Sequence, residues 1–228
     1  MADIKTAAIY HFTNHSERRP VIYLKQLDAL KEYAESKGFI VADIFCDKTL
    51  RRCEQTEFKR LLPCSDQFDV LVAKNFYHIN KRTNSCIATL LALRDHGVTT
   101  YTMENGVFTL EETPLDKPLR VVTYNSRFGT LKKKNPVIPL QDEIMRLFVS
   151  KKTNWNIVAQ YHDESYRQLD SEQINLAELI KHKDEYDLIL LHTFSDLHWR
   201  TANFCKYREK LQLDIYSLQE GFLKYRKE

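Results

Sequence analysis

FDVLVAKNF (Phe68–Phe76) is the stretch on which the fold turns. Val70, Leu71, Val72 and Ala73 form an unbroken apolar run, too short for a helix. A strand with one wet face alternates apolar and polar residues. An unbroken run means that both faces are covered, as in the centre of a parallel sheet. Working outward, AAIYHF (Ala7–Phe12) and FIVADIF (Phe39–Phe45) read as two further strands. Between them, Leu24, Leu27, Leu30, Tyr33 and Ala34 recur at three- and four-residue steps, which predicts a helix closed by Gly38. Glu57–Leu62 predicts a short helix ending before Pro63. Arg82–His96 predicts another, with Ile87, Leu90, Leu91 and Leu93 inward and Gly97 as its stop, before a fourth strand at Val98–Met103. Strands alternating with helices over such short connections predict a mainly parallel sheet flanked by helices.

After a polar, acidic stretch bounded by Pro114 and Pro118, which reads as a linker over 109–118, the pattern restarts. Val121–Tyr124 repeats the first strand, with Tyr124 answering Tyr10. Asp142–Lys151 repeats the first helix, with Ile144, Leu147 and Phe148 apolar. Trp155–Asp163 answers Phe39–Asp47 position by position. Asn175–Ile180 answers Glu57–Leu62, and Asp187–Leu191 answers Asp69–Ala73. Leu197, Arg200 and Thr201 answer Ile79, Arg82 and Thr83, and Ile215–Gly221 answers Thr100–Gly106. The same order at every place predicts an internal duplication, with units at 1–108 and 119–228.

The first unit resembles the catalytic domain of serine recombinases, the resolvase/invertase family. The resemblance rests on Gln26–Gly38 leading to Asp47, on Glu57–Leu62, on Asp69–Val72 running to Lys81, and on Gly97–Glu104. It implies two tandem α/β units of the resolvase catalytic type, each a mainly parallel sheet with helices on both faces. The family's chemistry is attack of a serine hydroxyl on a DNA phosphodiester, with arginines holding the phosphate. Always-charged, bidentate donors suit that task. At the positions that match the family's Tyr-x-Arg-x-Ser, this chain has Tyr10, Phe12 and Asn14, so the arginine and the serine are both replaced. Gln55-Thr56 stands for Arg-Pro, and Tyr77-His78-Ile79-Asn80-Lys81 for the Asp-Arg-x-x-Arg loop. An amide cannot act as that nucleophile, and Phe12 offers a phosphate no charge. In the second unit Ser126 and Phe128 take the arginine and serine places, and Asp196 enters the cationic loop, where it is expected to repel DNA.

The sequence therefore predicts no catalytic residues. The resemblance implies an accessory or regulatory factor in DNA recombination of a mobile element or phage, paired with an active serine recombinase or with itself. Two alternatives stay open: a protein–protein interaction module without a DNA role, and a residual phosphodiester-processing enzyme using Thr13 or Ser16.

Other features are weaker. Net charge is only +3, so weak DNA binding is the expectation; the candidate contacts are Lys132, Lys133, Lys134, Arg82 and Arg200. His192, Asp196 and His198 are close enough in sequence to form a metal or acid–base site, but eight histidines make such proximity cheap. Tyr161, Tyr166, Tyr186, Tyr207 and Tyr216 are candidates for base stacking or, more simply, for core positions. Cys46, Cys53, Cys64, Cys86 and Cys205 contain no CxxC pair, so reduced thiols and no zinc site are expected. No Gly-rich phosphate loop is present, and no small-molecule cofactor is expected. The start, MADIKT, lacks a secretory pattern, and no apolar run approaches the ~20 residues that span a bilayer, so a cytoplasmic location without membrane contact is expected.

Overall fold

A computed structural model describes residues 4–13, 20–47, 55–111, 117–128, 137–165 and 173–225. The chain divides into two compact units, Met1–Thr109 and Leu110–Glu228. In the first, the elements run β1 (Thr6–Phe12), α1 (Pro20–Ser36), β2 (Ile40–Asp47), α2 (Thr56–Leu61), β3 (Val70–Ala73), α3 (Phe76–Ile79), α4 (Thr83–Asp95), β4 (Thr99–Thr102) and β5 (Gly106–Phe108). The strand order is β2-β1-β3-β4-β5, parallel except for the β4–β5 hairpin. All four residues of β3 are buried. Alternate residues explain why. Val70 and Val72 join Ala7 and Ile9 against Leu30 and Ala34 of α1. Tyr10 points to the other face and meets Phe58 of α2, ring centres 4.7 Å apart.

The second unit contains β6 (Leu110–Glu111), β7 (Leu119–Phe128), α5 (Val137–Ser150), β8 (Trp155–Ser165), α6 (Ile174–Lys181), β9 (Leu188–Leu191), α7 (Thr201–Leu211), β10 (Asp214–Ser217) and β11 (Gly221–Leu223). Its order, β6-β11-β10-β9-β7-β8, repeats the first sheet and adds β6 at the far edge. Val121, Leu188 and Leu190 pack against Met145 and Val149 of α5 as their counterparts pack on α1. The likeness reaches irregular details. Pairing of the first strand with the second slips at Ala7/Ala8 in one unit and at Val121/Val122 in the other. Asp69 accepts the Thr6 backbone N–H at 2.7 Å, and Asp187 accepts that of Arg120 at 2.8 Å. Gly106 and Gly221 open the last strands at φ +70° and +105°, a turn conformation that side chains strain. The longest second strands, β2 and β8, lie at open sheet edges.

The α/β class and the two mainly parallel sheets match the sequence reading. Several boundaries do not. Leu110–Glu111, placed in the linker, is a strand paired with β11. Helix α5 begins at Val137, five residues before the predicted Asp142. Its Pro139 lies in the first turn, where the missing N–H has no partner to lose. The turn at Leu62–Gln67 continues past Pro63 as a 3₁₀ helix for the same reason. Leu24, assigned to the inner face of α1, is 54% exposed.

Candidate functional site

In a parallel α/β sheet, ligands gather beyond the carboxyl ends of the strands. There, β1 and β2 bring Tyr10 and Asp47 together. The Tyr10 hydroxyl donates to Asp47 Oδ2 at 3.0 Å and accepts from the Gln55 amide at 3.1 Å. The Gln55 amide also donates to the Ile79 carbonyl at 2.9 Å. Asp47 accepts the backbone N–H groups of Glu57 and Phe58 at 3.0 and 3.1 Å. Those are the open donors of the first turn of α2, whose own N-cap residue, Gln55, makes no capping bond. Burial, then the Asp47 charge, pushes the Tyr10 hydroxyl far above the usual phenol range. It holds its proton.

The second unit builds the same network. Tyr124 donates to Asp163 Oδ2 at 3.0 Å and accepts from Gln173 at 2.9 Å. Gln173 also donates to the Leu197 carbonyl at 3.0 Å, and Asp163 accepts the N–H groups of Asn175 and Leu176, both at 3.0 Å. Burial and Asp163 raise the Tyr124 hydroxyl likewise. Gln173 was missed in the sequence. The signal was available: it stands two residues before Asn175, as Gln55 stands two before Glu57.

The positions named from the sequence are dispersed around these networks. Phe12 and His78 are buried and in edge contact, ring centres 5.9 Å apart. Lys81 Nζ lies 5.4 Å from the centre of the Phe12 ring and 5.5 Å from that of Tyr77. The lysine charge is therefore directed at aromatic faces. Thr13 is 1% exposed; its backbone N–H and its hydroxyl both donate to the Asp47 carbonyl, at 3.2 and 3.4 Å. Asn14, Ser16, Lys132, Lys133, Lys134 and Tyr166 lie outside the described residues. Arg82 and Arg200 are the N-cap residues of α4 and α7, not their first helical residues. Arg200 covers the Trp199 ring at 4.6 Å.

Asp196 corrects the expectation of a DNA-repelling charge. Its carboxylate turns inward and accepts the Thr193 N–H at 2.9 Å, within a capping box. Burial pushes that carboxyl up to about 7. The Ser126 hydroxyl donates to the Asp196 carbonyl oxygen. His198 Nδ1 accepts the Arg200 N–H at 2.9 Å, and Nε2 lies 3.1 Å from the Asn203 amide. The two ring nitrogens are thus engaged by the helix start at Arg200 and by Asn203 of α7. Among the described residues no group of three or more His, Cys, Asp or Glu is placed to hold a metal. Tyr161 and Tyr186 meet hydroxyl to hydroxyl at 3.1 Å. Tyr216 packs beside Phe148 and Trp155, and Tyr207 beside His198. No described helix is long and apolar enough to cross a membrane.

No protein-family model matches this sequence, and no curated protein matches it. Solved structures do. The N-terminal catalytic domain of TP901-1 integrase aligns with 45% of this chain and 79% of its own, at 18% identity and TM-score 0.39. A resolvase family site-specific recombinase from Streptococcus pneumoniae aligns over 65% and 95%, at 13% identity and TM-score 0.41. An ABC transporter periplasmic solute binding protein from Actinobacillus succinogenes, with bound D-allose, aligns over 82% and 68%, at 10% identity and TM-score 0.32. At these identities and scores the likeness is one of general α/β form.

Proposed function

We propose that the chain is a catalytically inactive, serine-recombinase-like protein, built from two degenerate copies of one unit, that serves as an accessory or regulatory factor in DNA recombination. The reading combines the sequence resemblance with one observation: in both units a closed Tyr–Asp–Gln network occupies the carboxyl end of the sheet. A hydroxyl nucleophile needs a route to its target and cations around the phosphate. Here the phenols are buried with their protons held, Thr13 is covered, and Phe12, Gln55 and His78 stand where the resemblance calls for arginines or their neighbours.

The test is a cleavage and trapping assay on duplex DNA, with protein–DNA adducts resolved under denaturing conditions. The expected result is no strand cleavage and no adduct. A covalent adduct through a seryl or threonyl oxygen overturns the reading. A salt titration of DNA binding addresses the accessory role: affinity falling steeply with salt supports it, because released counterions are the signature of phosphate contact. No binding at low salt removes the DNA role and favours a protein-interaction module.

A further inference from the structure

Because the two units share one frame, each serves as a reference for the other. In the first unit Phe45 of β2 and Phe68, the residue before Asp69, are buried rings, 5% and 7% exposed. Their counterparts in the second unit are tyrosines. Tyr161 pairs with Tyr124 as Phe45 pairs with Tyr10, and Tyr186 precedes Asp187 as Phe68 precedes Asp69. The fold therefore needs the rings and does without the hydroxyls. The two added hydroxyls meet at 3.1 Å, and Tyr186 is only 5% exposed. Between them they carry two protons and make one hydrogen bond, and among the described residues neither has another partner. One O–H is left over. Both side chains line a pocket of about 380 Å³, together with Val158, Ala159, His182 and Glu185.

We propose that this pocket binds a small, neutral, planar ring carrying a cyclic amide, the edge found on pyrimidine and purine bases. The lining specifies that edge. The spare phenol proton donates, so the ligand must accept. Glu185 Oε1 lies 2.8 Å from His182 Nδ1, while Glu185 Oε2 has no hydrogen bond among the described residues, so the ligand must also donate. An amide inside a ring is held cis and turns its C=O and N–H to the same side, whereas an open-chain trans amide turns them to opposite sides. Charge favours a neutral ligand. His182 Nε2 lies 3.2 Å from Glu178, which Lys181 meets at 2.7 Å, so two carboxylates already face an imidazole and an ammonium. The hydrogen bonds to Glu185 and Glu178 raise the pKa of that imidazole. A cation therefore finds no uncompensated carboxylate, and an anion meets Glu185. The phenol rings, Val158 and Ala159 supply apolar wall for a flat ring. The proposal does not rest on the recombination reading.

The experiment is saturation-transfer NMR on the full chain, with uracil as the probe titrated over about 0.1 to 10 mM. Saturable binding is expected, weakened at least about tenfold in Tyr161→Phe/Tyr186→Phe. That variant installs the first unit's residues, so its urea midpoint, followed by tryptophan fluorescence, is expected to match or exceed that of wild type. Uracil methylated on both nitrogens keeps the ring and the carbonyls but has no N–H, and it is expected not to compete. Ribose, with hydroxyls and no ring amide, is expected not to compete either. Displacement of uracil by a single-stranded dT octamer assigns the ligand to a base within a strand, and lack of displacement assigns it to a free base or nucleoside. Uracil that fails to saturate wild-type protein overturns the proposal. So does a double variant that binds uracil as tightly as wild type, or equal competition from methylated uracil or ribose. A double variant that unfolds at lower urea also overturns it, because the hydroxyls then belong to the fold.

Discussion

Replacing Asp163 with alanine removes three hydrogen bonds from one buried point. Its carboxylate accepts the N–H groups of Asn175 and Leu176 and the hydroxyl of Tyr124, each at 3.0 Å. Helix α6 has no substitute, because its N-cap residue Gln173 makes no capping hydrogen bond. Losing the acceptor at a helix start costs about 1 kcal/mol. Leaving the buried Tyr124 proton without an acceptor adds about 1–3 kcal/mol. The variant is therefore expected to lose about 3 kcal/mol. With a urea slope of about 1–3 kcal/mol per M, the midpoint falls by about 1–3 M. The assay is selective for the right half, since both tryptophans, Trp155 and Trp199, belong to the second unit. Tryptophan fluorescence against urea thus reads the unit that carries the substitution. A shift below about 0.5 kcal/mol would refute the idea that one strand-borne carboxylate holds the start of α6.

Two further substitutions follow from the same geometry. Asp196 has a native pKa of about 7 against 3.8 in the unfolded chain, so the native state keeps a proton the unfolded state has lost, and this group's contribution falls as pH rises from about 4 to about 7. Asp196→Asn is expected to gain stability relative to wild type across that window, by at most about 4 kcal/mol, and parallel urea-midpoint profiles from pH 4 to pH 8 would contradict this. The Arg120–Asp187 pair is different, with side chains 52% and 35% exposed. Arg120→Met is expected to cost less than about 1 kcal/mol in the same titration, because solvent screens the pair and the backbone bond to Asp187 survives; a loss above about 2 kcal/mol would show that the side chain does more.

The fold was legible where burial dictates residue type. Strands β3 and β9 read as unbroken apolar runs because both faces are covered, and the repeat was visible through them. Boundaries were less legible where backbone chemistry decides. Val137–Gln141 lacked a clean apolar period and contains Pro139, so the start of α5 was hidden. Leu110–Glu111 pairs by main-chain bonds to Phe222 and Leu223, which leave no mark on side-chain pattern. Leu24 fitted the period of α1 but is exposed. At the site, the sequence did not show the Tyr–Asp–Gln hub, which joins residues 37 to 49 positions apart. Nor did it show that Asp196 faces inward, since a capping box and an exposed acid look alike in a single sequence.

The open edge of the second sheet has a consequence for handling this protein. Strand β8 presents Trp155–His162 along an unpaired border with no Asp, Glu, Lys or Arg in eight residues. Its counterpart β2 interrupts the same border with Asp43, a charge that discourages strand-on-strand stacking between molecules. The copy without that gatekeeper is the one through which heat-loosened chains are expected to pair edge to edge.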